Sequence, residues 1–327
     1  MTDATHAKLR AIVSDYLAHQ RALGRDYASV EWLLNNVCRF AKRARSDDLD
    51  AALFDRWCRS QQHLSVNTRR KDLLILRRFC LYRQRSEPAC FVPDPLYFPR
   101  RQPSVTPVLI SPQQIAHMLC VSRSLSPTPN SPLRPAVLTI AIVLLYTAGL
   151  RIGELTRLLL GDVDGQAGVL HIRDSKFHRA RFIPLSADAR RELRHYLRLR
   201  RIEPYDLRPQ ASLLCHHLYS RTRGRGIYSV VGLATAIRQL FIQANIRDAE
   251  GRRPRVHDVR HNFAHEVLKR WYLEGKDVQT NLPKLALYMG HVSITSTAYY
   301  FQCIPEVAAL ASKRFGENFE HLVQGNL

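Results

Sequence analysis

The chain has 327 residues, enough for two domains, and a 46% apolar fraction that supports a full core. Lysine plus arginine number 49 against 28 acidic residues; the resulting formal charge of +21, carried mostly by arginine, points to a nucleic-acid partner more than to a basic solvated surface. No stretch approaches the roughly 18 apolar residues of a membrane span, no secretion signal opens the chain, and seven scattered cysteines without a CxxC pair indicate neither a disulfide framework nor a zinc site of that type, so a soluble, cytoplasmic protein with reduced thiols is expected.

In AKLRAIVSDYLAHQRAL the residues Leu9, Ile12, Val13, Tyr16 and Leu17 recur at three- and four-residue steps, which predicts one helix face. Further helices are expected over 28–44, 50–61 and 66–84, the last capped by Ser65 or Asn67, with basic residues flanking an apolar stripe in RRKDLLILRRFCLYR. Prolines at 88, 93, 95, 99, 103, 107 and 112 exclude a continuous helix. Residues 88–111 therefore read as an extended linker between a helical domain, 1–87, and a second domain, 112–327.

The second domain starts where Ser111 caps a helix with Pro112 at its first position. A polar loop, 122–135, and a buried helix, 135–148, precede GLRIGELTRLLLGDVD. The runs VLHIR and ARFIPL then switch to strand character around a basic tip. Helices follow in SADARRELRHYLRLRR and over 227–245, 257–273, 282–289 and 293–302, with a tail at 305–327. The expected fold class is mainly α with a small β-hairpin or sheet, α+β.

Four local features carry chemistry, each with a plain alternative. AGLRIGEL places Arg151 at a helix start, where an arginine is commonly a surface residue. Lys176 falls at the hairpin tip, usually a solvated position. HDVRHNF puts His257 and Arg260 one turn apart on one helix face. In GHVSITSTAYY, His291 precedes Tyr300 by nine residues. His257, His261 and His265 recur at i, i+4, i+8, but HNFAHE is not HExxH and Arg260 between them would repel a cation, so no metal is expected and helix packing is preferred for His261 and His265.

Taken together and in this order, TAGLRIGEL, DSKFHRARFIPL, HDVR and the GH box before the tyrosine resemble the motifs of the tyrosine recombinases, or phage-integrase family. The match spans roughly 136–304, and the helical N-terminal region is similar to that family's core-binding domain in character only. The resemblance implies a C-shaped clamp around double-stranded DNA and a site-specific recombinase, working in DNA integration or transposition of a mobile element, that cuts and rejoins strands through a 3′-phosphotyrosyl intermediate without ATP, metal or other cofactor. It implies that Arg151 and Arg260 clamp the non-bridging phosphate oxygens and that His257 handles the nucleophile's proton. Lys176 would protonate the leaving 5′ oxygen, His291 would hydrogen-bond the phosphate, and Glu154 would orient the cluster. Neighbours on a helix point about 100° apart, so Tyr299 and Tyr300 cannot both face one phosphate; the family's spacing of nine after the GH-box histidine implies Tyr300 as the nucleophile.

The same resemblance implies a homo-tetramer on paired, inverted-repeat sites, with or without sister recombinases, and a tail that docks on the neighbouring protomer through an amphipathic section at 306–314. The 34 residues from His257 to His291 exceed the spacing of compact family members, the excess lying in 268–284, which resembles the enzymes of transposons and integrating elements. An accessory DNA-binding protein without catalysis and a type IB topoisomerase are the alternatives; the full set of motif residues argues against the first and the small N-terminal bundle against the second.

Overall fold

A computed structural model describes residues 2–103, 105–129, 131–173, 180–202, 205–216, 226–290, 309, 312 and 313. The chain divides into two compact units, Met1–Val105 and Thr106–Leu327, so the division falls inside the proline-rich stretch.

The first unit is built on four helices, α1 (Thr2–Ala22), α2 (Ala28–Arg43), α3 (Ala51–Ser60) and α4 (Val66–Arg83). Their apolar stripes meet in one core that includes Leu9, Val13, Tyr16, Leu34, Trp57 and Phe79. Two polar caps set the starts of α3 and α4: Asp50 accepts from the Leu53 N–H, and Ser65 from the Thr68 N–H. Arg83, only 4% exposed, closes the bundle by donating to Asp48 ahead of α3 and to Glu87 beyond its own helix.

Residues 88–103 pack on α4 and do not run free of it. Prolines lack an N–H but keep their carbonyls, so at its prolines such a segment can be held only by donors from elsewhere. Arg77 donates to the Pro93 carbonyl at 2.6 Å and Arg70 to the Pro99 carbonyl at 2.8 Å. Asn67 exchanges two hydrogen bonds with the Gln102 backbone. Residues 67, 70 and 77 share one face of α4. Phe98 adds an apolar anchor in the bundle core. Part of the basic flank expected on this helix is thus engaged in fastening the strap.

In the second unit, Ser111 and Gln114 form a reciprocal capping box at the start of α5 (Pro112–Arg123). The following helix, α6 (Arg134–Thr147), is buried nearly all round, as its unbroken apolar run requires. Next come α7 (Ile152–Arg157), a 3-10 turn (Leu160–Asp162), and three strands, β1 (Val163–Asp164), β2 (Val169–Ile172) and β3 (Arg181–Pro184). They form an antiparallel sheet in the order β1-β2-β3, with Leu170 opposite Ile183 and Ile172 opposite Arg181. The two-residue β1 is a strand that sequence alternation is too short to reveal. The helices α8 (Ala187–Ile202), α9 (Val230–Gln243), α10 (Val256–Leu273) and α11 (Val278–Met289) complete the described part.

The buried Arg200 of α8 donates to the carbonyls of Ser212, Leu213 and Asp206, holding the irregular segment 205–216. The loop 122–135 is shorter than expected, because α5 runs to Arg123 and Leu133 is tucked into the core.

The helix expected over 282–289 begins four residues earlier. Asp277 accepts from the N–H groups of Gln279 and Thr280, and this cap carries the helix past Pro283, which costs one internal hydrogen bond. Val278, Leu282, Leu285 and Met289 then bury against Ala264 and Leu268 of α10 in a satellite core. The long 268–284 connection is therefore mostly helix, turned at Gly275 with φ +67°. The helix expected over 293–302 and the tail lie outside the described residues, apart from isolated positions. Among the described residues no helix is long and apolar enough to cross a membrane.

Replacing Arg83 with methionine keeps the apolar stem but removes the charge between Asp48 and Glu87. Asp48 and Glu87 keep contact with water, so loss of their shared partner should destabilise the first unit by about 1 kcal/mol in urea unfolding followed by tryptophan fluorescence. Burial raises the Asp48 pKa, but the Arg83 hydrogen bonds, the Leu49 N–H and the Arg83 charge together outweigh it and hold Asp48 below the ordinary carboxylate value. That contribution is complete above the unfolded-state pKa and is lost as pH falls through the folded one, so the difference between wild type and variant should shrink in acid.

Candidate active site

The site assembles around the turn between α6 and α7 and the C-terminal end of α11. After Thr147 the chain leaves α6 and passes Gly149 in the left-handed region, φ +59°. A Cβ there would also lie 2.5 Å from the Phe263 ring, so both the conformation and the space require glycine. Arg151 then caps α7, its N–H donating to the Glu154 carboxylate at 3.0 Å.

Glu154 is 1% exposed, and its two oxygens receive four hydrogen bonds. Oε1 accepts from Arg151 Nη1 at 2.8 Å and Arg181 Nη1 at 3.1 Å; Oε2 accepts from the Arg151 N–H and from Arg181 Nη2 at 2.8 Å. Arg260 Nη1 lies 3.9 Å from Oε2. Burial alone would raise the Glu154 pKa, but the bonds from Arg181, its charge and those from Arg151 overcome burial and lower it to about 2.

The same three arginines grip α11. Helix C-termini leave their last carbonyls without internal donors. Here Arg181 Nε donates to the Tyr288 carbonyl at 2.7 Å, Arg260 Nη2 to that of Met289, and Arg151 Nη2 to that of Gly290 at 2.7 Å. Three consecutive carbonyls are bound by three arginines, from β3, α10 and the start of α7. Gly290 sits at φ +63°, and a Cβ on it would come 3.0 Å from Arg181 and 3.3 Å from Arg151. The glycine of the GH box is therefore fixed by left-handed backbone and by crowding guanidiniums. Arg260, 1% exposed, also donates to the Gly149 carbonyl, tying α10 to the turn that presents Arg151.

His257 stands one turn before Arg260 in α10 and is exposed, its ring edge-to-face with that of His261 at 4.6 Å between centroids. Protein packed around it, and then the Arg260 charge, push its pKa below the ordinary histidine value. Asp258, buried beside it, accepts from the Arg255 N–H and guanidinium and so caps α10. Asn262 accepts from the Ile110 N–H and donates to the Asp258 carbonyl, which fixes the segment entering the unit against α10. His265 lies on the buried side, its Nδ1 3.6 Å from a Glu266 oxygen. Among the described residues no group of three or more His, Cys, Asp or Glu is arranged to hold a metal ion.

Of the residues singled out in the sequence, Arg151, Glu154, His257 and Arg260 thus come together. Lys176 lies in 174–179, outside the described residues, between strands whose last pair is Ile172 and Arg181. His291, Tyr299 and Tyr300 lie outside them too, directly after Gly290. Sequence reasoning missed Arg181, Asp258 and Asn262. A signal for Arg181 existed: strand alternation in ARFIPL puts it on the same face as Ile183, which is fully buried, and an inward arginine calls for a buried acid.

Three guanidiniums against one carboxylate leave the cluster positively charged, suited to an anionic centre such as a phosphodiester. The phage integrase family's sequence profile matches residues 112–305. Two proteins of Sinorhizobium fredii named as integrase/recombinases are similar along nearly their whole length: y4rE, 30% identical over 92% of this chain and 94% of its own, and y4rB, 29% identical over 95% and 98%. Among solved structures, the fold is shared with the integrase of transposon Tn1549 in complex with transposon right-end DNA, at TM-score 0.61 and 18% identity over 93% of this chain and 99% of that one. It is shared also with the XerH site-specific recombinase bound to palindromic difH substrate, at TM-score 0.62 and 16% identity over 86% and 78%. With the profile covering more than half its length, the chain belongs to the phage integrase family, the tyrosine site-specific recombinases.

Proposed function

We propose that this protein cuts and rejoins double-stranded DNA at specific sites with Tyr300 as the nucleophile. The observation that carries the reading is the convergence of Arg151 and Arg260, more than a hundred residues apart in sequence, on Glu154 and the end of α11, with His257 on the adjoining turn. In the first step the Tyr300 oxygen attacks phosphorus, a bond to tyrosine forms, and the bond to the 5′ oxygen breaks. Phenol, with an unperturbed pKa near 10, must give up its proton; His257, lowered in pKa and so neutral near pH 7, can take it.

Lys176 protonates the departing 5′ oxygen, while Arg151, Arg260 and His291 hold the non-bridging oxygens where negative charge develops. Attack by a 5′ hydroxyl on the phosphotyrosine reverses the bonds, so the energy of the diester is kept and no ATP is consumed. The arginines and the lysine supply positive charge that a divalent ion supplies in other phosphoryl-transfer enzymes. The helical first unit acts as the core-binding domain. The working assembly is a tetramer on two inverted-repeat sites in the cytoplasm, with the tail 305–327 docked on a neighbouring protomer.

The reaction is testable with nicked duplexes tiled across the DNA flanking the protein's own gene, in which release of a short fragment traps the covalent state. Tyr300→Phe should abolish the SDS-stable, protease-sensitive adduct with DNA affinity unchanged, and Tyr299→Phe should retain it. The opposite pattern would move the nucleophile by one position; no adduct at any tile would leave a DNA-binding protein, and relaxation of arbitrary supercoiled plasmid a topoisomerase.

In the DNA-free protein the His257 ring protons, followed by NMR, should titrate well below the ordinary value of 6.5. Because its folded pKa is depressed, folding weakens as pH drops below that ordinary value and recovers as pH rises through it. A midpoint above about 7.5 would leave the ring mostly protonated near pH 7 and remove His257 as the neutral base.

A further inference from the structure

We infer that Arg181 is a positioning residue of this site, holding the Glu154 carboxylate so that it does not draw Arg260 inward, away from the phosphate. The inference rests on the reading of Arg260 as a phosphate ligand. Its starting point is the division of labour on one buried carboxylate. Two of the four hydrogen bonds to Glu154 come from Arg151, and the other two come from Arg181. Both side chains are almost out of water, Arg181 at 9% exposure and Glu154 at 1%.

A buried carboxylate stripped of half its donors cannot turn to solvent and takes the nearest cation not already bonded to it. That cation is Arg260, whose Nη1 already lies 3.9 Å from Oε2 and is held off by its bonds to the carbonyls of Gly149 and Met289. Moving onto Glu154 would break two contacts that hold the Arg260 guanidinium. Arg181 has a second task through Nε, which caps the Tyr288 carbonyl three residues before His291. It is also the first residue of β3, paired with Ile172 at the tip end of the sheet, so this strand end is anchored at the same point. One side chain thus links the acid, the helix end and the hairpin.

Adduct formation on the nicked duplexes should slow by about 100-fold in Arg181→Ala, as expected for misplaced reacting groups, with DNA affinity changed by less than about threefold. Adding Glu154→Gln to that variant removes the charge that attracts Arg260 and should restore about tenfold of the lost rate. Arg181→Lys, which keeps the charge but cannot span Glu154 and Tyr288 together, should fall between. A merely structural role predicts no recovery in the double variant; that result, or an Arg181→Ala rate equal to wild type, overturns the inference.

A crystal structure of DNA-free Arg181→Ala gives a readout that needs no substrate: Arg260 should be found in hydrogen-bond contact with Glu154. Finding it still on the Gly149 and Met289 carbonyls also overturns the inference. Should that variant fail to fold, Arg181→Lys decides, with an unchanged adduct rate as the overturning result. If wild type itself gives no Tyr300-dependent adduct, the functional reading falls while the crystallographic comparison still decides whether Arg181 restrains Arg260.

Discussion

Guanidinium groups bound to main-chain carbonyls at the end of α11 organise everything else in the second unit's site. A helix C-terminus carries partial negative charge and carbonyls with no internal donor. Arg151, Arg181 and Arg260 satisfy the carbonyls of residues 290, 288 and 289 respectively. Each arginine arrives on a different element, so meeting one helix end brings the start of α7, the strand β3 and α10 to a common point. The requirement for glycine at 290 follows from the same crowding, and the requirement at 149 from the Phe263 ring beneath it.

Convergence of three cations carries a cost that Glu154 offsets. Without it, like charges would repel across a space with little water. With it, the repulsion is relieved and a surplus of positive charge remains for an incoming anion. The carboxylate stays ionised because the arginine hydrogen bonds and charges outweigh its burial. Acid and arginines are therefore mutually dependent: removing either partner leaves buried charge uncompensated.

Much of this was legible in the sequence, for definite reasons. Helices with one-sided apolar stripes, such as α1 and α4, and a capped start such as Ser111–Pro112 are local properties, visible in a window of a few residues. Arg151, Glu154, His257 and Arg260 were recognisable because their motifs stand in a fixed order. Contacts that close over long sequence distances were not. Asn262 meets Ile110 across 152 positions, and Arg181 meets Tyr288 across 107; no local pattern encodes either pairing. Two further contacts at prolines were equally hidden. The helix expected over 282–289 starts at Val278 because the Asp277 cap and a satellite core carry it through Pro283. The stretch expected as an extended linker is fastened to α4 over 88–103 because proline carbonyls remain available to donors, which the residues themselves do not advertise.

The contacts on α11 are made to backbone oxygens, and this divides the freedom to mutate unequally between the two sides. A carbonyl is supplied by any residue, so Tyr288 and Met289 answer to their packing neighbours and owe nothing to the arginines. The donors have no such latitude, since a planar fork with several N–H groups is available to arginine alone. Substitution is therefore freer in the helix that is gripped than in the residues that grip it, and the position at that end of α11 whose identity the contacts dictate is Gly290.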